Sequence, residues 1–275
     1  MTPAARVQAA IEILDEVIAS TRDDGAPADT IVQRYFKTRR YAGSKDRRAV
    51  RELVFRAIRR SGEPPASGRA AMIGLADEDA MLLDLFDGSP HGPSVREAAE
   101  SPAPASLIPH WVRPLLSDHV TDDEWPALLE RAPLDIRVNV ARANREELVG
   151  QIENALPTSL SPWGIRLAAD SRIDSHPAFA DGLIEVQDEG SQLIALACQP
   201  ADGLRILDLC AGAGGKSLAL AAAAPNAEII ASDTNRSRLA QLSPRAERAR
   251  ATIDTRLIDG GRETAQLADL EGQCD

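Results

Sequence analysis

Cysteine is scarce: Cys198, Cys210 and Cys274 are the only three in 275 residues, and none pairs with another at C-x-x-C spacing. That excludes a disulfide framework and a thiolate zinc site, and it fits a reducing, cytoplasmic compartment. His91, His110, His119 and His176 make no ligand spacing with the cysteines, so no metal is expected. No apolar run approaches the roughly 18 residues of a membrane span, and the amphipathic, acid-bearing N-terminus is unlike a signal peptide. No membrane association is expected. Repeats and low-complexity tracts are also missing, apart from one Ala-rich stretch. With 44% hydrophobic and 27% charged residues the composition is that of a globular protein, which excludes collagen-like, disordered and coiled-coil classes. The length suits about two domains of roughly 150 residues.

The formal net charge of −11 argues against a nucleic-acid partner only if the charge is spread evenly, and it is not. Between residues 31 and 60 stand Arg34, Lys37, Arg39, Arg40, Lys45, Arg47, Arg48, Arg51, Arg56, Arg59 and Arg60, against only Asp46 and Glu52. This local net of about +9 in an otherwise acidic chain is the footprint of a polyanion-binding patch. A solvated basic helix face is the plainer alternative. Tyr35, Phe36 and Tyr41 interleave with the cations, either to stack on unpaired bases or to fill a core.

Val7, Ile11, Leu14 and Ile18 keep helical rhythm, as do Val50, Leu53, Val54 and Ile58. Ala80 to Phe86 and Leu107 to Leu116 read as further helices between Pro/Gly-rich joints, which gives an all-helical first domain over 1–130. Asp135 to Val140 then alternates with period two, Asn144 to Leu156 reads as a helix capped by Asn144, and Gly164 to Ala168 resumes as a strand. These residues predict a small β-α-β element over 131–180. From Leu183 onward strands alternate with Ala-rich helices: Leu204 to Leu209, Lys216 to Ala224, Glu228 to Ser232, Asn235 to Ala251, Ile253 to Ile258. The fold class expected is α/β, with a parallel, doubly wound, Rossmann-like sheet over 181–275.

The most informative stretch is Leu207-Asp208-Leu209-Cys210-Ala211-Gly212-Ala213-Gly214-Gly215-Lys216-Ser217, a strand passing through a glycine-rich turn into a helix. Three ligand classes compete for it. A phosphate loop would need a glycine where Cys210 stands, although Gly215-Lys216-Ser217 satisfies its end. A dinucleotide fingerprint fails at its third glycine. S-adenosylmethionine needs main-chain partners for its carboxylate and amine and an acidic acceptor for its ribose diol. Asp233 follows the next strand, and Asp259 the third, where it could meet the adenine. Each aspartate alone could be a helix cap or a turn residue. The ordered set Asp208, Asp233 and Asp259 at successive strand ends favours the third ligand.

On these motifs the chain resembles the Sun/Fmu family of RNA cytosine-5 methyltransferases, of the ribosomal-RNA small-subunit methyltransferase B type. Cys210 to Lys216 is similar to the family's first cofactor motif, with Ala213 where proline is usual. Ser232-Asp233 through Asn235, Arg236, Ser237, Arg238 and Leu239 resembles the second, and Ile258-Asp259-Gly260 the third. Leu134 to Asn139 and Val186-Gln187-Asp188-Glu189 resemble segments that precede the first cofactor strand. The start, with Tyr41 to Arg48, is similar to a NusB-like RNA-binding domain. The resemblance implies S-adenosyl-L-methionine as cofactor, held by Cys210, Ala211, Gly212, Ala213, Gly214, Gly215, Lys216, Asp233, Arg238 and Asp259. It also implies an RNA partner, ribosomal RNA, met by Arg39, Arg40, Lys45, Arg47 and Arg48, and a monomer.

The family's cysteine nucleophile lies in a Thr-Cys motif, with a second cysteine in Asp-Ala-Pro-Cys. Here Ala197, Leu209 and Gln273 precede the three cysteines. Cys210 belongs to the cofactor loop and Cys198 reads as a small buried hydrophobe. The expectation is a chain that stops before its catalytic motifs, inactive alone, with Leu204 to Leu209 left as an unpaired edge strand. The alternative is a non-catalytic RNA-binding module with a remnant cofactor fold.

Overall fold

A computed structural model describes residues 1–23, 25–130, 132–168 and 171–275. The chain divides into two compact units, Met1–Glu130 and Arg131–Asp275. Arg131, at the expected domain boundary, lies outside the described residues.

The first unit is built on α1 (Pro3–Arg22), α2 (Ala28–Lys37), α3 (Ser44–Arg60) and α4 (Gly68–Ala76). Thr2 caps α1 by accepting the Ala5 N–H at 3.2 Å, and Pro3 supplies the preset φ of a first helical residue. The apolar stripe of α1, with Val7, Ile11 and Leu14, packs with Ile31, Val54, Met72 and Ile73 from the other helices, and Ile18 further along the helix is buried too. Each such side chain, fully removed from water, contributes roughly 2 kcal/mol before entropy is counted. The start of α4 abuts α1: a Cβ on Gly68 would lie 2.2 Å from the Ile11 carbonyl oxygen, and Asp15 accepts the Gly68 N–H at 2.6 Å.

Helical structure fades after residue 76. The expected helix at Ala80 to Phe86 is a single turn, α5 (Ala80–Leu83). Leu107 to Leu116 is mostly irregular, with one 3-10 turn at Arg113–Leu115, because Pro109 and Pro114 remove backbone donors there. A last short helix, α6 (Trp125–Leu129), closes the unit.

In the second unit, β1 (Leu134–Val138) is followed by α7 (Arg145–Gln151), whose Asn144 cap accepts the Glu147 N–H at 3.1 Å. The β-α-β expectation fails after that helix. The chain adds β2 (Leu156–Pro157), which turns back into β3 (Gly164–Leu167), so β3 reaches β1 antiparallel instead of parallel. After the short α8 (Pro177–Ala180), β4 (Ile184–Val186) joins the other side of β1. The small sheet therefore runs β2-β3-β1-β4, and β4 belongs to it although it falls within the stretch assigned to the cofactor sheet.

α9 (Glu189–Ala197) leads to the parallel sheet β5 (Arg205–Asp208), β6 (Glu228–Asp233) and β7 (Asp254–Leu257), in that order. α10 (Gly215–Ala223) connects β5 to β6. The expected long helix between β6 and β7 is two, α11 (Arg236–Leu239) and α12 (Leu242–Ala249). α13 (Glu263–Gln266) follows β7. β6 is buried at the centre, whereas β5 is a half-buried edge strand. On the outer side of β5, Asp275 donates its N–H to the Arg205 carbonyl oxygen at 3.1 Å and accepts the Arg205 N–H at 2.9 Å.

Candidate cofactor site and nucleic-acid surface

The parallel register places three aspartates along one edge. Asp208 pairs with Ala231, so Asp233 lies two residues further on; Asp233 in turn pairs with Leu257, two residues before Asp259. Between β5 and α10 the loop is held by Ala211 donating to the Ser232 carbonyl at 2.9 Å and by Gly214 donating to Ala211 at 2.8 Å. Gly214, at φ +80°, is the left-handed residue before α10, and a Cβ there would meet Leu242 at 2.1 Å. Gly212, at φ +55°, lies against the Arg238 guanidinium. The first turn of α10 receives no side-chain cap, so its N–H groups face the loop end with the helix's positive pole.

Asp233 is 8% exposed. One carboxylate oxygen accepts the Gly212 N–H at 2.7 Å and the other accepts the Asn235 N–H at 2.7 Å. Those backbone donors, Asn235 foremost, hold the carboxyl below the usual carboxylate range. Each oxygen keeps a further lone pair for a ligand hydroxyl. Asp259 is exposed and is held by the Gln266 amide at 3.0 Å. Lys216 is half-buried with no ion pair among the described residues, and Cys210 is exposed. The Asp208 carboxylate is engaged within the fold, where it accepts the Ser217 hydroxyl at 2.7 Å. Ser217 is fully buried by that contact, which removes the metal-coordinating hydroxyl a phosphate loop would need. Cys198 is exposed at the end of α9, donating to Ile194 O at 3.4 Å, and is not the buried hydrophobe expected.

A group that sequence reasoning passed over supports this loop. Arg137 of β1 is 2% exposed. It donates to the Gln187 side chain at 2.7 Å, and burial pushes its guanidinium down to about 10, offset in part by Glu185. Glu185, 4% exposed, accepts from Arg245 at 2.9 Å and from Arg248. Arg245 also donates to the Ala213 carbonyl in the glycine loop at 2.6 Å. Gln187 lies 3.8 Å from where a Gly215 Cβ would stand. Asn139 reaches the Ala249 carbonyl at 3.0 Å. The polar face of the small sheet is thus the joint on which the cofactor loop rests. The only sequence signal was the alternation Asp135, Arg137, Asn139.

In the first unit the eleven cations separate into two sets. Arg34, Arg39, Arg51, Arg56, Arg59 and Arg60 pair with Glu16, Glu12, Asp29, Asp79, Glu52 and Glu78. Lys37, Arg40, Lys45, Arg47 and Arg48 are exposed and have no carboxylate partner among the described residues. The unpaired charge is confined to the end of α2, the turn after it and the first turn of α3. Tyr35 and Phe36 are core residues, while Tyr41, inside the turn, is 72% exposed. Of the five cations expected to meet RNA, Arg39 is the exception: it stacks 3.6 Å above the Tyr35 ring and pairs with Glu12.

Residues 194–270, from α9 through α13, match the family model described as 16S rRNA methyltransferase RsmB/F. The ribosomal RNA small subunit methyltransferase B of Yersinia enterocolitica is 32% identical over 146 residues, 50% of this chain and 34% of that protein. Its counterpart in Salmonella arizonae is 32% identical over 172 residues, 59% of this chain and 39% of that one. The matched part therefore spans between a third and two fifths of these relatives. The crystal structure of PH0851 superposes with a TM-score of 0.64 over 96% of this chain and 72% of that one, at 19% identity, and so shares the fold. The segment that resembles the RsmB/F methyltransferases is thus the one that carries the loop, strands and helices just described.

Proposed function

We propose that this chain binds S-adenosylmethionine in the crevice at the carboxyl ends of β5, β6 and β7, and serves methyl transfer to C5 of cytosine in ribosomal RNA. The observation that carries the reading is the Cys210–Gly215 loop tied to Asp233, with an uncapped helix start behind it. Asp233 accepts the ribose hydroxyls through its remaining lone pairs. The first-turn N–H groups of α10, with Lys216 beside them, hold the cofactor carboxylate. Arg238, packed against Gly212, would brace the loop, and Asp259 would take the adenine amine. When bound, the cofactor supplies an electrophilic methyl group.

C5 of cytosine becomes nucleophilic only after a thiolate adds at C6, and a base must then remove the C5 proton. None of Cys198, Cys210 and Cys274 lies in a Thr-Cys or Asp-Ala-Pro-Cys context, so binding is assigned to these residues and the nucleophile is not. The RNA is held through phosphate contacts at the unpaired cations of the first unit, in the manner expected of a NusB-like domain.

Calorimetric titration of the chain with S-adenosylmethionine tests the central point. Binding lost in Asp233→Ala and weakened in Asp233→Asn supports it, whereas equal affinity in all three forms removes the site. The chain alone should give no 5-methylcytosine in a single-turnover assay on unmethylated ribosomal RNA with labelled cofactor.

A further inference from the structure

The end of α1 that carries Thr2 and Gln8, the α2–α3 turn and the segment Pro90-His91-Gly92 enclose an open groove of about 1140 Å³. That is room for a nucleotide. Tyr41, exposed and inside the unpaired basic segment, lines it. The Pro90-His91-Gly92 turn lines it as well, held by Gly92 donating to Ser89 O at 3.0 Å and by Gly88 donating to Pro93 O at 3.0 Å. This turn sits hard on α1, because a Cβ on Gly92 would come within 2.8 Å of the Ala4 Cβ. Tyr35, Arg39 and Glu12 also line it: Tyr35 and Arg39 donate to one Glu12 oxygen at 2.7 and 3.4 Å, Gln8 donates to the other at 3.2 Å, and the Arg39 guanidinium sits 3.6 Å from the Tyr35 ring centre.

These features differ from those of a surface that only counts phosphates. A duplex-binding face needs cations and little else, since phosphate contacts carry no base information. Here a solvent-exposed aromatic ring stands among Arg40, Lys45, Arg47 and Arg48, and the groove it lines is lined also by the Glu12 carboxylate, whose two oxygens together keep lone-pair capacity beyond what Tyr35, Arg39 and Gln8 use. An aromatic ring stacks on any base, and a carboxylate accepts from the exocyclic amine of cytosine or adenine.

We infer that this groove captures one unpaired nucleotide of the RNA, stacked on Tyr41 with its amino edge toward Glu12, while Arg40, Lys45, Arg47 and Arg48 hold the flanking phosphates. The inference rests on the RNA-binding reading above and narrows it to single-stranded or bulged RNA.

Fluorescence anisotropy of the full chain with a labelled ten-nucleotide single strand and with a duplex of equal length tests it. Tyr41→Ala should weaken single-strand binding by roughly tenfold, the effect of losing one stacked base. It should leave the duplex unaffected, and Tyr41→Phe should restore binding. Lys45→Ala with Arg48→Ala should weaken both ligands and flatten the salt dependence. Equal loss for both RNAs in Tyr41→Ala, no loss for either, or failure of phenylalanine to rescue would each overturn the groove. If neither RNA binds the unaltered chain, the RNA-binding reading itself falls, and a polyglutamate probe that binds in its place would mark the patch as a protein-docking surface.

Discussion

Glu185 is the carboxylate that faces Arg137, Arg245 and Arg248, so Glu185→Gln is the most direct perturbation of the joint beneath the cofactor loop. Removing one partner of a buried pair costs about 3–5 kcal/mol, because the remaining charge is left without compensation. Arg245 and Arg248 soften this, since 24% and 23% of their side-chain surface reaches solvent and they can swing outward. Arg137 cannot follow them, being 2% exposed within β1. We therefore expect a loss near the lower end, about 3 kcal/mol. Hydrogen exchange at the β6 amides reads the second unit separately from the helical one, and those central-strand amides should lose protection by that amount.

A second variant makes the reasoning refutable. If the cost comes from a stranded Arg137, then adding Arg137→Met to Glu185→Gln should recover about 1–2 kcal/mol, because an apolar side chain of similar length fills the site without charge. Glu185→Gln costing less than about 1 kcal/mol, or a double variant no more stable than the single one, would show that the four charged groups do not act as a unit. The same variants carry a functional reading. Arg245 released from Glu185 no longer fixes the Ala213 carbonyl, so affinity for S-adenosylmethionine should fall in Glu185→Gln even at temperatures where the chain is fully folded.

Gly214→Ala should destabilise by roughly 2–4 kcal/mol in thermal unfolding, combining left-handed strain with the clash against Leu242. Adding Leu242→Ala should relieve only the clash. Arg250 closes α12 at φ +55°, a conformation glycine adopts freely, so Arg250→Gly should raise stability by up to about 1 kcal/mol. Glu100 is held at about 2 by the Arg69 guanidinium and the Glu97 N–H, below its ordinary 4.5. A depressed carboxyl stabilises the folded state above its unfolded value and loses that contribution as pH falls toward the folded one. Acid titration of the first unit should therefore show a stability loss between about pH 4.5 and 2 that Glu100→Gln abolishes.

The parts of this fold that were legible in sequence are those governed by local backbone chemistry. Asn144 announces the start of α7 because its side chain completes an orphan N–H, and the glycine at 214 marks the one left-handed turn from which α10 can begin. The three aspartates were legible for a similar reason, since strand ends in an alternating pattern fix their order without any knowledge of packing. Direction within the small sheet was not legible. A two-residue strand, Leu156–Pro157, is too short to show period two, yet it reverses the chain and makes β1 and β3 antiparallel. The run from Leu107 to Leu116 misled for the opposite reason: its apolar spacing suits a helix, but Pro109 and Pro114 deny it the bonds a helix needs.

The deepest ambiguity lay in the arginines. In the sequence, Arg137 is one residue of an alternating strand with nothing to single it out, and the eleven cations of residues 31–60 read as one patch. In the structure Arg137 is among the most buried large side chains, and more than half of the basic stretch is neutralised in pairs. What separates the two uses of arginine is the presence of a carboxylate far along the chain. Glu185 lies 48 residues beyond Arg137, and Glu12 lies 27 residues before Arg39. Local charge counts cannot see such partners, so they overstate the breadth of a polyanion surface. Once the pairs are removed, the remaining cations concentrate between Lys37 and Arg48, around an exposed tyrosine. A narrow cluster next to a groove favours a ligand that enters, and that is a more specific demand than the net charge made. Arg48→Ala should therefore weaken RNA binding and reduce its salt dependence, while Arg56→Ala, which breaks a pair with Asp79, should lower stability and leave RNA affinity in place.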